Sequence, residues 1–269
     1  METNEQVAVV EETPKKKVRY AWLKKEAVST DALLIGLSVI FGALIIALTL
    51  WLPQMNMGKT ADLKKAAVAD DTQTEETGPA TTTLDDDAIM GDKTKARVAI
   101  VEFSDLECPF CKRFHQETHD QLVKEYVETG KAILVARDFP LSFHDPKATE
   151  EASVAECVRD QKGDAAYFTF TQEVYANTLA NGKGLPQGKM LELMKKAGVD
   201  TTKALACSEQ EATKQEIAKD IADGTKAGVT GTPSFLIGTL GEDGTVTGEL
   251  VVGALPLSGF EEVINKYVK

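Results

Sequence analysis

The sequence lacks an excess of positive charge and any evident internal repeat. Its 269 residues carry 30 lysines and arginines against 42 aspartates and glutamates, which gives a formal net charge of −12. A general nucleic-acid-binding protein needs a basic surface to displace counterions from phosphates, so this class is disfavoured. The hydrophobic content of 43% is ordinary for a globular protein. The length allows either one large domain or a smaller domain with attachments.

Long hydrophobic runs are also scarce, because the chain has only one. Residues 32–52 (ALLIGLSVIFGALIIALTLWL) are 21 residues without a charge, enough to cross a hydrocarbon core of roughly 30 Å as a helix. Six basic residues lie between Lys15 and Lys25. The positive-inside rule therefore predicts a single-pass signal anchor, with residues 1–31 in the cytoplasm and the later residues outside.

A cleaved signal peptide is the alternative interpretation of residues 32–52. Its apolar region would be shorter and would be followed closely by small residues at a cleavage site. The sequence continues instead into Pro53-Gln54-Met55-Asn56-Met57, so the uncleaved anchor is favoured. Both interpretations place the later residues in an extracytoplasmic compartment, where disulfides form and persist.

Residues 53–90 lack any apolar periodicity. They are rich in threonine, aspartate, glutamate, alanine and glycine, a composition that cannot bury enough surface to offset the entropy of ordering. We therefore expect a flexible linker over 53–90 and a folded domain over 91–269.

Strand and helix patterns alternate in the folded domain. The predicted strands cover 97–104, 131–137, 234–238 and 248–253. Helices are predicted over 110–129, 145–160, 164–180, 187–197, 208–228 and 257–268, and a short turn over 200–206, with caps at Asp145, Asp200 and Ser208 and with Pro146 at a first helical position. This order predicts a βαβ half and a ββα half sharing one sheet, with a helical insertion at about 145–228 between them.

Cysteine is scarce as well, with four in the chain, and two of them lie in Cys108-Pro109-Phe110-Cys111. This motif follows a predicted buried strand and opens a predicted helix. One thiol therefore lies at a helix N-terminus, where unpaired N–H groups and the helix dipole favour a thiolate. A thiolate beside a second thiol can exchange disulfides. Pro109 suits the first helical position because its missing N–H would have no partner there.

Three stretches of the chain resemble the DsbA-like thioredoxin-fold family of membrane-tethered bacterial thiol-disulfide oxidoreductases. They are residues 102–111 (EFSDLECPFC), residues 228–235 (GVTGTPSF) and residues 252–254 (VGA). The resemblance covers about residues 88–269, including the position and size of the helical insertion. It implies an α/β thioredoxin fold, a bacterial cell envelope location and a reaction without a cofactor.

The resemblance also implies roles for particular residues. Cys108 would be the exposed cysteine that a client thiolate attacks, and Cys111 the buried partner that this attack expels. Pro233 would follow a cis peptide bond and face the active disulfide. Thr232 would offer its backbone groups to an extended client segment.

Glu102 and Phe110 are the supporting residues whose roles the sequence leaves open. An acid within an apolar strand must be paired or protonated, and the resemblance implies that Glu102 handles protons near the buried cysteine. The alternative is a strand residue that faces a solvated pocket. Phe110 stands where the best-known oxidases of the family commonly have histidine, so the direction of the redox reaction stays open.

Cys157 and Cys207 are the remaining cysteines. Their extracytoplasmic location and the resemblance together imply a structural disulfide between them. Two separate buried thiols are the alternative.

His115 and His119 follow Cys111 at four-residue steps and raise zinc binding with Cys108 as an alternative from another class. Zinc fingers usually separate the cysteine and histidine pairs by a dozen or more residues. We therefore expect two histidines on the helix surface without a role and no metal site. His144 lies in a predicted loop without an evident partner.

The sequence thus predicts a membrane-anchored, extracytoplasmic protein thiol-disulfide oxidoreductase. An oxidase that introduces disulfides into secreted or envelope proteins is the first choice, and a reductase or isomerase is the second. A non-catalytic metal-binding or client-binding domain is the alternative of another class. The expected partners are cysteine-containing client proteins, the membrane through 32–52, and a membrane or soluble redox partner that recycles Cys108 and Cys111.

Overall fold

Strand β3 (Val98–Ser104) lies at the centre of the computed structural model, which describes residues 79–268. It pairs in parallel with β4 (Ala132–Asp138) and antiparallel with β5 (Ser234–Leu240). Its first six residues are all buried, as expected for a strand covered on both faces. The predicted βαβ unit and the return of the chain into the same sheet are confirmed.

Two short strands complete the edges of the sheet. β1 (Ala80–Thr83) pairs antiparallel with β6 (Thr245–Val252), and β2 (Ala88–Met90) pairs antiparallel with β4. β5 and β6 form the predicted hairpin. The resulting six-stranded sheet has the order β1-β6-β5-β3-β4-β2.

The linker predicted over 53–90 is therefore wrong at its C-terminal end. The composition of residues 79–90 gave no sign of β1 and β2. Part of this segment is held by polar contacts to a residue far away in the sequence, which composition cannot show. Arg137, at the end of β4, is only 1% exposed. Its guanidinium lies 2.8 Å from Asp87 and 3.1 Å from Asp85 and donates to the Thr83 carbonyl at 2.9 Å.

Residues 1–78 lie outside the described residues. They include the predicted cytoplasmic segment 1–31, the predicted membrane span 32–52 and most of the predicted linker. Within 79–268, no helix is long and apolar enough to cross a membrane.

The helices lie in the predicted order, with a helical insertion between β4 and β5. α1 and α2 follow β3, α3 to α7 form the insertion and α8 follows β6. Their bounds are α1 Pro109–Glu117, α2 His119–Leu122, α3 Lys147–Lys162, α4 Asp164–Asn177, α5 Lys189–Lys196, α6 Thr201–Ser208, α7 Glu211–Lys226 and α8 Leu257–Tyr267. A π-helical turn over Val123–Val127 extends α2, and a single 3₁₀ turn covers Ser142–His144.

Two helix starts differ from the prediction. α3 begins at Lys147, after a cis Asp145–Pro146 bond, so Pro146 is not the first helical residue. The Asp145 carboxylate accepts instead from the backbone N–H of Thr149 at 3.2 Å. Ser208 does not cap α7, because it ends α6 and its hydroxyl donates to a carbonyl of that helix.

Two other helix predictions are decided by single side chains. The helix predicted over 110–129 is interrupted at Thr118, whose hydroxyl donates to the carbonyl of Leu255 at 3.0 Å. Asp200 caps α6 as predicted, accepting from the N–H groups of Thr202 and Lys203.

The sheet carries a hydrophobic core on each face. Val98 and Ile100 of β3 belong to one core, which α1, α3, α4 and α8 cover, whereas Ala99 and Val101 belong to the other. α7 approaches this second face closely at Gly224, where a Cβ atom would lie 2.8 Å from the ring of Phe103. The sheet is thus enclosed, and β3 delivers its C-terminal end to the start of α1.

Cys157 of α3 and Cys207 of α6 form the expected disulfide. Their Cα atoms are 5.9 Å apart, within the usual range for such a bond. In the chain-entropy model, closing a loop of this size stabilises the fold by about 4 kcal/mol. The bond joins the first and fourth helices of the insertion.

Candidate active site

The end of β3 and the start of α1 position Cys108 and Cys111. A turn follows Ser104, and the N–H of Cys108 donates to the carbonyl of Asp105 at 3.0 Å. Cys108 then occupies the N-cap with an extended backbone, and Pro109 is the first helical residue. The predicted thiol at a helix N-terminus is therefore confirmed, with its partner three residues further along the same helix.

Cys108 is less exposed than the resemblance implies. It is 3% exposed and Cys111 is 0% exposed. The cause is the segment containing Thr232 and Pro233, which lies against Cys108 so that its thiol donates to the Thr232 carbonyl at 3.4 Å. The Thr232–Pro233 bond is cis, as the resemblance implies. Cys108 remains the more accessible of the two cysteines.

The two thiols have opposite acidities. A hydrogen bond from the Cys111 thiol, with the N–H groups of Phe110 and Cys111, lowers the pKa of Cys108 to about 6 despite its burial. Burial and the neighbouring Cys108 sulfur raise the pKa of Cys111 well above its ordinary value. Cys108 is therefore the more acidic thiol of the pair and Cys111 the less acidic.

Phe110 projects from between the cysteines and is 53% exposed. The guanidinium of Arg113, one turn further along α1, lies 5.2 Å from the centroid of its ring. A cation over an aromatic face is attracted by the ring quadrupole. Phe110 thus presents an apolar surface beside Cys108, and the Arg113 guanidinium lies over its ring.

Glu102 is buried in β3 and paired with His115 of α1. Its Oε1 lies 2.9 Å from Nε2 of His115. Burial alone would raise the pKa of Glu102, but the charge and hydrogen bond of His115 outweigh burial and lower it. Glu102 therefore does not face a solvated pocket.

The expectation that His115 and His119 lie on the helix surface is wrong. The side chain of His115 is 6% exposed and that of His119 is 5% exposed. The two rings stack with centroids 4.8 Å apart. Counting four-residue steps could place them on one face but could not show that α4 covers that face.

Tyr175 of α4 covers His115 and reaches the end of β3. Its ring stacks on the imidazole of His115 at 4.0 Å. Its hydroxyl shares a hydrogen bond of 2.6 Å with the hydroxyl of Ser104. Tyr175 lies in the insertion, 64 residues beyond Cys111 in the numbering, so the local motif gave no signal for it.

A loop over residues 178–185 lies beside the cysteine pair. The Nζ of Lys112 donates to the carbonyl of Thr178 at 2.7 Å. Glu107, immediately before Cys108, accepts hydrogen bonds from the hydroxyl of Thr178 and from the N–H of Gly184. The next N–H, that of Leu185, donates to Glu151 at 3.1 Å. Two buried carboxyl groups therefore fasten this loop to the active site.

Glu151 makes this attachment sensitive to pH. Burial and repulsion from Glu107 raise the pKa of Glu151 to about 8. A group whose pKa is higher in the folded state contributes stability at low pH and loses it as the pH rises through the folded value. We therefore expect Glu151→Gln, which stays neutral, to gain about 4 kcal/mol of unfolding free energy relative to the wild type between about pH 5 and about pH 9.

Denaturant unfolding at both pH values would test this expectation. Glu150→Gln is the matched control, because the side chain of Glu150 is 53% exposed. The control should differ from the wild type equally at both pH values. A pH-independent difference for Glu151→Gln would show that Glu151 is already ionised in the folded protein.

His144 has a partner that the sequence did not reveal. Its Nδ1 lies 2.7 Å from Oδ2 of Asp105. The same carboxylate accepts from the N–H groups of Leu141 and Glu107. Asp105 therefore joins the active-site turn to the loop after β4. An aspartate three residues before the first cysteine was the only local signal.

Zinc binding by Cys108, Cys111, His115 and His119 finds no support in the geometry. Within residues 79–268, one group of three side chains has its possible ligand atoms close enough together to share an ion. It consists of Cys157, Asp160 and Cys207. The two cysteines of that group are joined in a disulfide. His115 uses one ring nitrogen for Glu102 instead.

An acidic thiol at a helix start, a buried partner thiol and a cis-proline segment opposite them define a dithiol-disulfide exchange site on a thioredoxin-like sheet. The chain belongs to the thioredoxin family, whose model, described as Thioredoxin, matches residues 83–251. The fold class that the sequence predicts for the described residues is thus confirmed.

Solved structures and curated proteins agree with this assignment. Pseudomonas aeruginosa DsbA2 is 27% identical with a TM-score of 0.56, and the match covers 69% of this chain and 96% of that one. Wolbachia pipientis alpha-DsbA1, at 23% identity and a TM-score of 0.58 over 69% of this chain and 92% of that one, supports the fold. The Bacillus cereus "Probable disulfide bond formation protein D" is 26% identical over 148 residues, which are 54% of this chain and 67% of that protein.

A shorter match has the higher identity. A Rickettsia conorii protein named for protein-disulfide oxidoreductase activity is 36% identical over 85 residues. The match covers 32% of this chain and 28% of the length of that relative. These relatives are therefore matched through part of their length.

Proposed function

We propose that this protein is a thiol-disulfide oxidoreductase that acts on cysteine-containing proteins through Cys108 and Cys111. The observation that carries the proposal is the contrast between an acidic thiol at the start of α1 and its fully buried partner. In such a pair the acidic sulfur, Cys108, serves as nucleophile or leaving group. The buried sulfur, Cys111, serves as the resolving thiol.

The reaction follows from this contrast. In the oxidised protein, a client thiolate attacks the Cys108 sulfur, the Cys108–Cys111 bond breaks, and Cys111 leaves with its electron pair and takes up a proton. A second client thiolate then attacks the client sulfur of the mixed disulfide and expels Cys108 as a thiolate. The client loses two electrons and the cysteine pair gains two.

Oxidation of clients is the direction that the site favours. Lowering the pKa of Cys108 to about 6 stabilises its thiolate, and a stabilised reduced form makes the disulfide a stronger oxidant. The Thr232 carbonyl and the exposed ring of Phe110 flank this sulfur. We assign Thr232 and Phe110 to binding an extended client segment.

The reduction potential of the cysteine pair tests this direction. We expect a value less negative than about −270 mV, because the lowered pKa of Cys108 stabilises the reduced form. It can be measured by equilibrating the protein with glutathione buffers, alkylating the free thiols and counting them by mass spectrometry. Phe110→His, which adds a polar ring beside Cys108, should raise the potential further. A wild-type potential near the lower value would assign the protein as a reductase.

Phe110 is the observation that supports a reductase or isomerase as the second candidate. An aromatic ring donates no hydrogen bond to the Cys108 thiolate. The thiolate is therefore stabilised less than it would be by a histidine at position 110. Rearrangement of a scrambled-disulfide model protein, compared with oxidation of the same protein in its reduced form, separates an isomerase from an oxidase.

We further propose that residues 32–52 anchor the chain in a membrane and that the folded domain lies outside the cytoplasm. The charge-free run after a basic segment supports this location. The clients are then secreted or envelope proteins, and a membrane or soluble redox partner reoxidises the cysteine pair. Protease treatment of intact spheroplasts should digest the domain, whereas protection until lysis would place it inside.

A further inference from the structure

Lys112 and Arg113 follow the cysteine pair directly on α1 and keep an unpaired positive charge. The Nζ of Lys112 donates to the carbonyl of Thr178 at 2.7 Å. A guanidinium nitrogen of Arg113 lies 3.5 Å from the carbonyl of Ala254. A carbonyl holds a cation in place without cancelling its charge, and both cations have more donors than these contacts use. Within the part of the chain that the structure describes, neither side chain forms an ion pair with a carboxylate.

The contacts of the two cations place them at different borders of the active site. Lys112 is joined to the loop over 178–185. Arg113 is joined instead to the segment after β6, where the N–H of Gly253 donates to the carbonyl of Pro233 at 2.8 Å. A client segment that lies along the cis-proline segment and crosses the reactive cysteine would therefore meet a positive charge at both borders of the site.

The acidic side chains nearest in sequence do not cancel this charge. Asp105 and Glu107, just before the cysteine motif, are at most 1% exposed. Glu117 is exposed but lies one turn further along α1 than the two cations, and Asp145 accepts hydrogen bonds at the start of α3. The segment 228–235 contains no charged residue. The exposed charge beside the cysteine pair is therefore positive, although the whole chain carries a net charge of −12.

We propose that Lys112 and Arg113 are specificity-determining residues that select client segments with acidic side chains next to the reacting cysteine. This inference rests on the proposed function and names its substrate class. Phe110, which is 53% exposed, supplies an apolar contact for such a segment. The two cations supply the charge that its acidic side chains complement. Complementary charges of this kind raise the rate of association and choose among partners.

Three synthetic peptide disulfides test this selection. Each is the symmetrical disulfide of a short peptide, and the peptides differ only in carrying glutamate, glutamine or lysine on both sides of the cysteine. In the reaction with the reduced full-length chain, the Cys108 thiolate attacks the disulfide, and one peptide leaves as a thiolate that takes up a proton. Cys111 gives up its proton to solvent and displaces the second peptide. The protein loses two electrons and the peptide disulfide gains two.

We expect the glutamate peptide to react at least about fivefold faster than the lysine peptide at low salt. The net charge of −12 predicts the opposite order, because it attracts the lysine peptide at long range. Each rate is divided by the rate of the same disulfide with 2-mercaptoethanol, so that differences in peptide reactivity cancel. Samples quenched by acid and alkylated are read by mass spectrometry. The preference should shrink in about 1 M salt, which screens exposed charges.

Three variants assign the preference to particular charges. Lys112→Gln combined with Arg113→Gln should abolish it, and because the readout is a ratio of two rates, a general loss of activity cancels. Lys112→Arg combined with Arg113→Lys keeps both charges and should keep the preference. Lys124→Gln is the matched control, since it removes an exposed lysine from the π-helical turn after α2. It should leave the ratio of the two rates unchanged.

The proposal is overturned if the wild type reacts with the glutamate peptide no faster than with the lysine peptide. It is also overturned if the double glutamine variant keeps the wild-type preference. In both cases the proposed function stands as long as the reduced protein exchanges with the glutamine peptide. A wild-type protein that exchanges with none of the three peptides would contradict the proposed function together with this inference.

Discussion

Replacing Cys111 by alanine is expected to leave client proteins covalently attached through Cys108. The Cys108 sulfur is retained, so an exchange with a disulfide-bearing client can still begin. The mixed disulfide then lacks its internal resolving thiol. An intramolecular thiol has an effective concentration far above that of any thiol in solution, so turnover should fall by about 1,000-fold or more. Non-reducing electrophoresis followed by mass spectrometry would detect the adducts.

Cys108→Ala is the matched control and should yield no adducts. The remaining thiol, Cys111, is fully buried and its pKa is raised by that burial. It is therefore neither reachable by a client nor ionised at neutral pH. Equal amounts of adduct from both variants would show that the nucleophile has been assigned to the wrong cysteine.

Arg137→Met is expected to lower the free energy of unfolding by about 3–5 kcal/mol, the usual cost of removing one partner from a buried ion pair. The side chains of Arg137 and Asp87 are both 0% exposed and lie 2.8 Å apart. Without the guanidinium, Asp87 would be a buried charge with no cation. The segment from β1 to Asp87 would then lose its side-chain attachment to β4. Denaturant unfolding monitored by circular dichroism would measure the loss.

Two further variants show whether the effect belongs to the buried pair. Asp223→Asn removes a partner of Arg137 that is 34% exposed, so it should cost about 1 kcal/mol or less. Arg137→Lys keeps the charge but loses the planar fork that contacts several acceptors at once, and should lie between the two. A loss for Arg137→Met no larger than that for Asp223→Asn would contradict the buried-pair account.

The fold of the described residues was largely predictable because its core strands carry strong local signals. β3 and β4 are continuous apolar runs, and the order of strands and helices around them specifies the topology. β1 and β2 were missed because they are only four and three residues long, and because the segment from β1 to Asp87 is held by Arg137, a partner 50 residues or more away. The break in the helix at Thr118 was missed for a similar reason, because the Thr118 hydroxyl donates a hydrogen bond to a carbonyl just before α8, far away in the sequence.

The reacting atoms of the site could be predicted, but much of their environment could not. Cys108 and Cys111 are adjacent to a helix start that the sequence shows directly, whereas the position of Pro233 came from the family resemblance. Tyr175, Glu151 and the loop over 178–185 come from the helical insertion. Their approach to the cysteines depends on how α3 and α4 pack, and no local pattern encodes that packing.

The short strands β1 and β2 close both margins of the sheet. A longer unpaired margin would offer a row of free N–H and C=O groups on which any extended chain could add as a further strand. Here one margin ends in four residues and the other in three. For a protein proposed to handle clients before they have folded, such short edge strands leave few free backbone groups with which a client could pair away from the active site. The Thr232 segment, next to the reactive sulfur, is the backbone with which we propose that such a chain aligns.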